Sequence, residues 1–231
     1  KARTTAFFCK ECGYESSKWM GQCPACKAWN SMVEEPVSKP AGSQAGLGRL
    51  ASGSQKSPVP AARPSLLSEI DIEEQDRIST GFGELDRVLG DGIVAGSLVL
   101  VGGDPGIGKS TLLLQVCRNL AGAGQRVLYI SGEESLKQIK MRANRIGPVT
   151  GELKFLCETS LEHIERAIDA ENPQIAVIDS IQTMYREEIS SAPGSVSQVR
   201  ESTGILMQIA KSRGIAIFVV GHVTKEGVVA G

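Results

Sequence analysis

From about residue 66 onward the chain is written in short aliphatic runs. Residues 97–101 (SLVLV), 126–130 (RVLYI), 154–157 (KFLC), 175–179 (IAVID) and 215–220 (IAIFVV) lack polar alternation, so each predicts a strand buried on both faces. Between them lie segments of helical period. Residues 109–121 (KSTLLLQVCRNLA) are apolar on most sides and predict a buried helix. Residues 134–145 predict a helix with Leu136, Ile139 and Ile146 inward, and 198–213 predict another. Thr159 and Glu162 fit a capping box that opens a helix ended by Asn172 and Pro173. Phe82, Leu85 and Leu89 share one face of a short helix, with Ser79 or Thr80 as N-cap. Strands separated by helices predict an α/β fold, a mostly parallel sheet covered by helices.

The first 65 residues read differently. Residues 1–33 hold four of the six cysteines, both tryptophans and five basic against two acidic residues. Residues 34–65 hold five of the ten prolines and no aromatic residue, too little apolar surface to fold, and predict a flexible linker. Three parts follow: a four-cysteine module over 1–33, the linker over 34–65, and the α/β core over 66–231. The formal net charge is -1, so no global basic field draws the chain to nucleic acid or membrane. No apolar run approaches the ~20 residues that span a bilayer. Phe7 and Phe8 give way at once to Cys9 and Lys10, so no signal peptide is read, and a cytoplasmic setting is expected. The first residue is Lys, which suggests that the natural start lies upstream.

Cys9-x2-Cys12 and Cys23-x2-Cys26 form two knuckles. A CxxC turn presents two thiolates to one ion, and two turns complete the tetrahedron that Zn²⁺ prefers. Redox pairs or two disulfides are the alternatives, but a redox CxxC normally opens a helix in a βαβ setting, which is absent here. Gly13 suits the tight knuckle, and Lys10, Lys18 and Lys27 offset the net charge of a four-thiolate zinc centre. Trp19 and Trp29 suit stacking on bases, although packing around the knuckles is the favoured role for at least one. Cys117 and Cys157 sit in aliphatic runs and are expected to be buried, inert thiols.

Gly103, Asp104, Pro105, Gly106, Ile107, Gly108, Lys109 and Ser110 spell GxxxxGK[ST], with Thr111 next. The motif follows a strand and opens a helix, the context a phosphate-binding loop requires. Glycines let backbone N–H groups converge on phosphate oxygens, and the helix N-terminus adds partial positive charge. Lys109 then reaches the β- and γ-phosphates, while Ser110 ligates Mg²⁺. Asp179, closing its strand, is the expected acidic partner of that Mg²⁺; a turn-capping role is the alternative. Glu133, after RVLYI, is the candidate base, against the plainer reading that Glu133 and Glu134 favour a helix start. His222 follows a strand on the same edge, as a γ-phosphate sensor or as a packing residue. Neither NKxD nor DxxG is present, so ATP is preferred over GTP.

The run Ser79 to Gly92 (STGFGELDRVLGDG), continuing into Gly103 to Thr111 (GDPGIGKST), resembles the RecA/KaiC superfamily of ATPases. The preceding cysteine module narrows the resemblance to the RadA (Sms) family of bacterial DNA repair proteins. The resemblance implies a RecA-like core that forms a homo-oligomeric ring, binds single-stranded or branched DNA, and couples ATP hydrolysis to translocation and branch migration in recombinational repair. A recombinase filament is a further implied partner. Lys109, Ser110, Asp179 and Glu133 match the family's phosphate-loop lysine, Mg²⁺ ligand, acidic residue and catalytic glutamate; His222 stands where an amide sensor is usual. Residues 189–197, flanked by Arg186 and Arg200, resemble a DNA-facing loop, and 223–231 begin a second. Lys211, Arg213 and Lys225 are candidates for phosphate contacts. The family continues beyond residue 231, so the chain is expected to be an N-terminal fragment. A KaiC-like signalling ATPase or autokinase is the alternative, and a non-enzymatic zinc adaptor a third reading.

Overall fold

The computed structural model describes residues 5–9, 14–25, 27–36, 66, 77–189 and 191–222. Lys10, Cys12, Gly13, Cys26 and Lys225, most of the expected linker, and residues 223–231 lie outside the described residues.

Two regions carry the secondary structure. The first is a three-stranded antiparallel sheet of β1 (Thr5–Cys9), β2 (Glu15–Ser16) and β3 (Met32–Pro36), in the order β2-β1-β3. β3 runs through the boundary expected at residue 33. Among its described residues Cys9 and Cys23 are the most buried side chains, with Met32 against them and Phe7 and Met20 at the margin.

The second region opens with β4 (Arg77–Ile78), α1 (Gly83–Val88) and β5 (Ile93–Val94), where β4 and β5 pair antiparallel. There follow β6 (Leu98–Gly103), α2 (Lys109–Gly122), β7 (Val127–Ser131), α3 (Leu136–Ile146), β8 (Leu153–Cys157), α4 (Leu161–Glu171), β9 (Ile175–Asp179), α5 (Val196–Arg213) and β10 (Ala216–His222). The five strands β6-β10-β9-β7-β8 form one parallel sheet in that order. The predicted α/β architecture is the observed one.

Alternation along the strands divides the core in two. Val127, Tyr129, Ile175, Val177, Ala216, Phe218 and Val220 face Leu113, Val116, Cys117 and Leu120 of α2. Leu128, Ile130, Ala176, Ile178, Ile217 and Val219 face α4 and α5. Fully burying one such side chain contributes about 1.5–3 kcal/mol, which explains why the aliphatic runs became the sheet.

Four local expectations are corrected. Phe82, not Ser79 or Thr80, is the N-cap of α1; both hydroxyls instead donate to Asp86, at 2.6 and 2.7 Å. Burial pushes the Asp86 carboxyl up, but these bonds and the Thr80 N–H outweigh it and hold it below the usual range. The Thr159–Glu162 box does not form: Ser160 is the N-cap of α4, and Glu158 accepts the N–H groups of Thr159 and Ser160. α3 starts at Leu136, which is exposed, while Ser135 and Gln138 make its capping box and Ile139 and Ala143 face inward. Cys117 is buried as expected, but Cys157 at the end of the edge strand β8 is exposed.

Candidate active site at the carboxyl edge

Strand parity brings the candidate residues together. Gly103 follows Val99 and Val101 in alternation, Asp179 follows Ile175 and Val177, and His222 follows Phe218 and Val220. All three therefore fall on the α2 face of the sheet, at the strand ends from which α2 departs. Register sets Gly103 opposite His222, and Ser131, two residues before Glu133, opposite Asp179.

The phosphate loop is open to solvent from Asp104 to Gly108, and Ile107 at its tip is 70% exposed. Gly106 and Gly108 take φ of 80° and 103°, and a Cβ there would meet nothing within 4 Å. Backbone conformation rather than crowding demands glycine at both. No side chain caps α2 and its first turn holds no acidic residue, so the positive end of the helix is left for an anion. Lys109 is buried at 7% exposure, and its Nζ donates to the carbonyls of Gly103 at 2.7 Å and Asp104 at 2.9 Å. Ser110 and Thr111 are half-buried beside it. The open loop, uncapped helix and inward lysine fit a phosphate chain.

Asp179 is 5% exposed. Its Oδ2 accepts a 2.5 Å hydrogen bond from the Tyr129 hydroxyl, and among the described residues no hydrogen bond falls on Oδ1. Burial first, and then the Asp179 charge, push the Tyr129 phenol far up, so it remains a neutral donor. One carboxylate oxygen is thus tethered and the other is left for a hard cation.

Glu133 sits between two donors. Ser180 Oγ donates to its Oε1 at 2.5 Å, and His222 Nε2 lies 3.1 Å from the same oxygen. The other His222 nitrogen, Nδ1, lies 3.4 Å from Lys109 Nζ. A continuous polar path therefore runs from Ser180 through Glu133 and His222 to the phosphate-loop lysine. Partial burial pushes the Glu133 carboxyl up; the bonds from Ser180 and His222, with the His222 and Lys109 charges, outweigh it and hold it below the usual range. Glu134 does something else: it forms an ion pair with Arg142 of α3.

The turn that carries Glu133 is pinned. Gly132 N–H donates to the Asp179 carbonyl at 2.8 Å, and a Cβ at Gly132 would meet Thr183 Oγ1 at 2.0 Å and Thr159 Cγ2 at 2.9 Å. Only glycine allows that approach. Tyr129, Gly132 and Ser180 were missed in the sequence. One signal existed for Tyr129: a lone hydroxyl in an otherwise aliphatic strand must find a partner when buried.

The expected DNA-facing loop is held from within. Gln198 of α5, 1% exposed, donates through Nε2 to the carbonyls of Arg186, Ile189 and Ser191 and accepts from the Arg186 N–H at 3.0 Å. Arg186 pairs with Glu162 and Glu188, and Arg213 pairs with Asp169, so neither is a free cation. Arg200 and Lys211 are exposed and carry no ion pair among the described residues.

In the ribbon, Cys9 and Cys23 supply one cysteine from each knuckle to the same buried cluster, at 1% and 0% exposure. Lys27 N–H donates to the Cys23 carbonyl at 2.8 Å, and Lys27 takes a φ of 62°, closing the second knuckle tightly. Converging thiols from two knuckles fit one shared zinc ion. Packing does not absorb either indole: Trp19 is 57% and Trp29 72% exposed, against the expectation that at least one packs.

Two family models match the chain: a rubredoxin metal binding domain over residues 7–34 and an AAA domain over residues 62–228. The first supports zinc in the ribbon and the second supports ATP with Mg²⁺ at the phosphate loop. Among described residues no helix is long and apolar enough to cross a membrane. The DNA repair protein RadA of Bacillus subtilis is 57% identical over 97% of this chain and 48% of its own length. That of Halalkalibacterium halodurans is 56% identical over 99% of this chain and 49% of its own length. That of Escherichia coli is 49% identical over 100% of this chain and 49% of its own length. The chain spans about half the length of the curated relatives it matches. It belongs to the AAA domain family, within the group of bacterial RadA proteins.

Proposed function

We propose that the protein is a DNA-dependent ATPase that binds single-stranded DNA and drives translocation and branch migration in recombinational DNA repair. The observation that carries the catalytic part is the path Ser180–Glu133–His222–Lys109, which ties a carboxylate to the phosphate loop across the sheet edge. The DNA part is supported by relatives that are themselves DNA repair proteins.

ATP bound with Mg²⁺ supplies a γ-phosphoryl group open to attack by water. Lys109, with the first turn of α2, binds and neutralises the phosphate chain. Ser110 and Asp179 hold the cation, Asp179 through the oxygen that Tyr129 leaves open. Ser180 and His222 both engage Oε1 of Glu133, so Oε2 is the oxygen that takes the proton of the attacking water. His222 touches both Glu133 and Lys109, which suits it to report phosphate occupancy to the base. Cys9, Cys12, Cys23 and Cys26 hold zinc in a structural role.

The test is ATP turnover with and without single-stranded DNA. Glu133→Gln should keep nucleotide binding and lower turnover about 10²–10⁴-fold. Lys109→Ala should weaken binding itself. Unchanged turnover in Glu133→Gln overturns the base assignment. Turnover indifferent to DNA from low to moderate salt overturns the DNA-dependent reading.

A further inference from the structure

Both tryptophans of the chain stand on the ribbon segment between β2 and β3, and neither is buried. Their six-membered rings converge over Gly21: a Cβ built there would lie 3.7 Å from Trp19 Cη2 and 3.9 Å from Trp29 Cζ3. The turn beneath the two rings is fixed by backbone. Gln22 and Trp29 form an antiparallel bridge, and Asn30 N–H donates to the Gly21 carbonyl at 2.8 Å. The surroundings are polar and cationic: Ser17, Lys18, Gln22, Lys27 and Asn30 are all exposed. Residues 17–31 contain Lys18 and Lys27 and no acidic residue. The thiols of Cys9 and Cys23 lie beneath the surface, while Lys18 and Lys27 are exposed.

We infer that Trp19, Gly21 and Trp29 form a stacking site for an unpaired base of single-stranded DNA, with Lys18 and Lys27 on the flanking phosphates. Exposed indoles offer sequence-tolerant π-faces, and nearby lysines supply the charge that follows a phosphate backbone. Lysine is depleted in protein–protein interfaces but follows a phosphate backbone, so exposed Lys18 and Lys27 beside the two indoles favour nucleic acid over a protein partner. The site rests on the DNA-binding reading above and adds a contact outside the ATPase core.

Both tryptophans of this chain belong to the site, so emission is a direct probe. The zinc-loaded chain is titrated with a fluorescein-labelled oligo-dT, following anisotropy and tryptophan emission in parallel. Quenching should accompany binding. Trp19→Ala and Trp29→Ala should each weaken binding about 5- to 100-fold. Gly21→Leu keeps both indoles but fills the space between them, and should weaken binding likewise; its Cβ meets only ordinary van der Waals contacts. Zinc content and ATP binding, measured on each variant, should match the parent. Binding of oligo-dT without quenching and with equal affinity in all three variants overturns this site alone, and leaves the indole pair to a protein partner. Failure of the parent chain to bind oligo-dT at low salt, with ATP binding intact, overturns both this site and the DNA-binding reading.

Discussion

The ribbon and the α/β core solve the problem of folding in opposite ways. The core buries two aliphatic layers, one on each face of a parallel sheet, and its largest fully buried side chains include Tyr129, Phe218, Leu113 and Ile178. Among the described ribbon residues the buried apolar side chains are Cys9, Cys23 and Met32, while Trp19 and Trp29 face solvent. One region spends its large hydrophobics on stability. The other leaves them outside and would depend on thiolate–metal bonds, as modules with too little core to fold alone do. The core keeps its chemistry at a strand-end edge, where a rigid scaffold fixes polar groups that the packing does not need.

Removing the metal is the strongest way to sharpen this contrast. Structural zinc contributes roughly 10–16 kcal/mol of apparent binding free energy to small modules. Chelation, or Cys23→Ser, should therefore abolish the near-ultraviolet dichroism of the two tryptophans while the helical far-ultraviolet signal and ATP binding persist. Loss of ATP binding on zinc removal, with free Mg²⁺ restored, would break the comparison, because the regions would then share one stability.

The reverse experiment strikes the core. Phe218 is fully buried between α2 and the sheet, so Phe218→Ala should cost about 3–5 kcal/mol. The urea midpoint of the helical signal should fall accordingly, with zinc content unchanged.

The sequence shows one region more openly than the other, for physical reasons. Aliphatic runs such as IAVID and IAIFVV can satisfy their hydrophobicity only inside a two-sided sheet, and β9 coincides with its predicted span, Ile175–Asp179. Strand parity then made the shared edge of Gly103, Asp179 and His222 readable in principle. What composition hides is exposure at margins. Leu136 is the first residue of α3 and Cys157 closes an edge strand, so apolar character there does not imply burial. Pairings between distant segments are hidden for another reason. Tyr129 and Asp179, or Ser180 and Glu133, meet because their strands or strand ends are neighbours, a fact that enters only with the sheet order. The exposed tryptophans were the least legible, since a metal cluster excuses a module from packing its aromatics.

Tyr129→Phe tests whether the core's scaffold also serves its chemistry. The ring and its packing stay, but a buried carboxylate loses its donor, at a cost of about 1–3 kcal/mol in stability. Asp179 would also be free to rotate, so the Mg²⁺ concentration needed for nucleotide binding should rise. A stability loss with an unchanged Mg²⁺ requirement would confine Tyr129 to structure.

The smallest effect is expected at Ser180. The Glu133 carboxyl titrates below the usual range because Ser180, His222 and Lys109 favour its anion. With a depressed folded-state value, its contribution is complete above the unfolded-state value and disappears as pH falls through the folded one. Turnover that uses Glu133 as base should therefore persist into mildly acidic solution and fail only below the ordinary carboxylate range. Ser180→Ala removes one cause of the depression and leaves His222 in place, so the acid limb of kcat/KM should move to higher pH, with turnover at pH 7 nearly unchanged. Stability should fall by only about 0.5–1.5 kcal/mol, since Glu133 is 42% exposed and water replaces the lost donor. A profile that keeps its acid limb but falls uniformly in height would mean that Ser180 positions Glu133 without tuning it. An acid limb unmoved in Glu133→Gln would show that another group carries the titration, and the likeness between a rigid scaffold and a tuned base would end there.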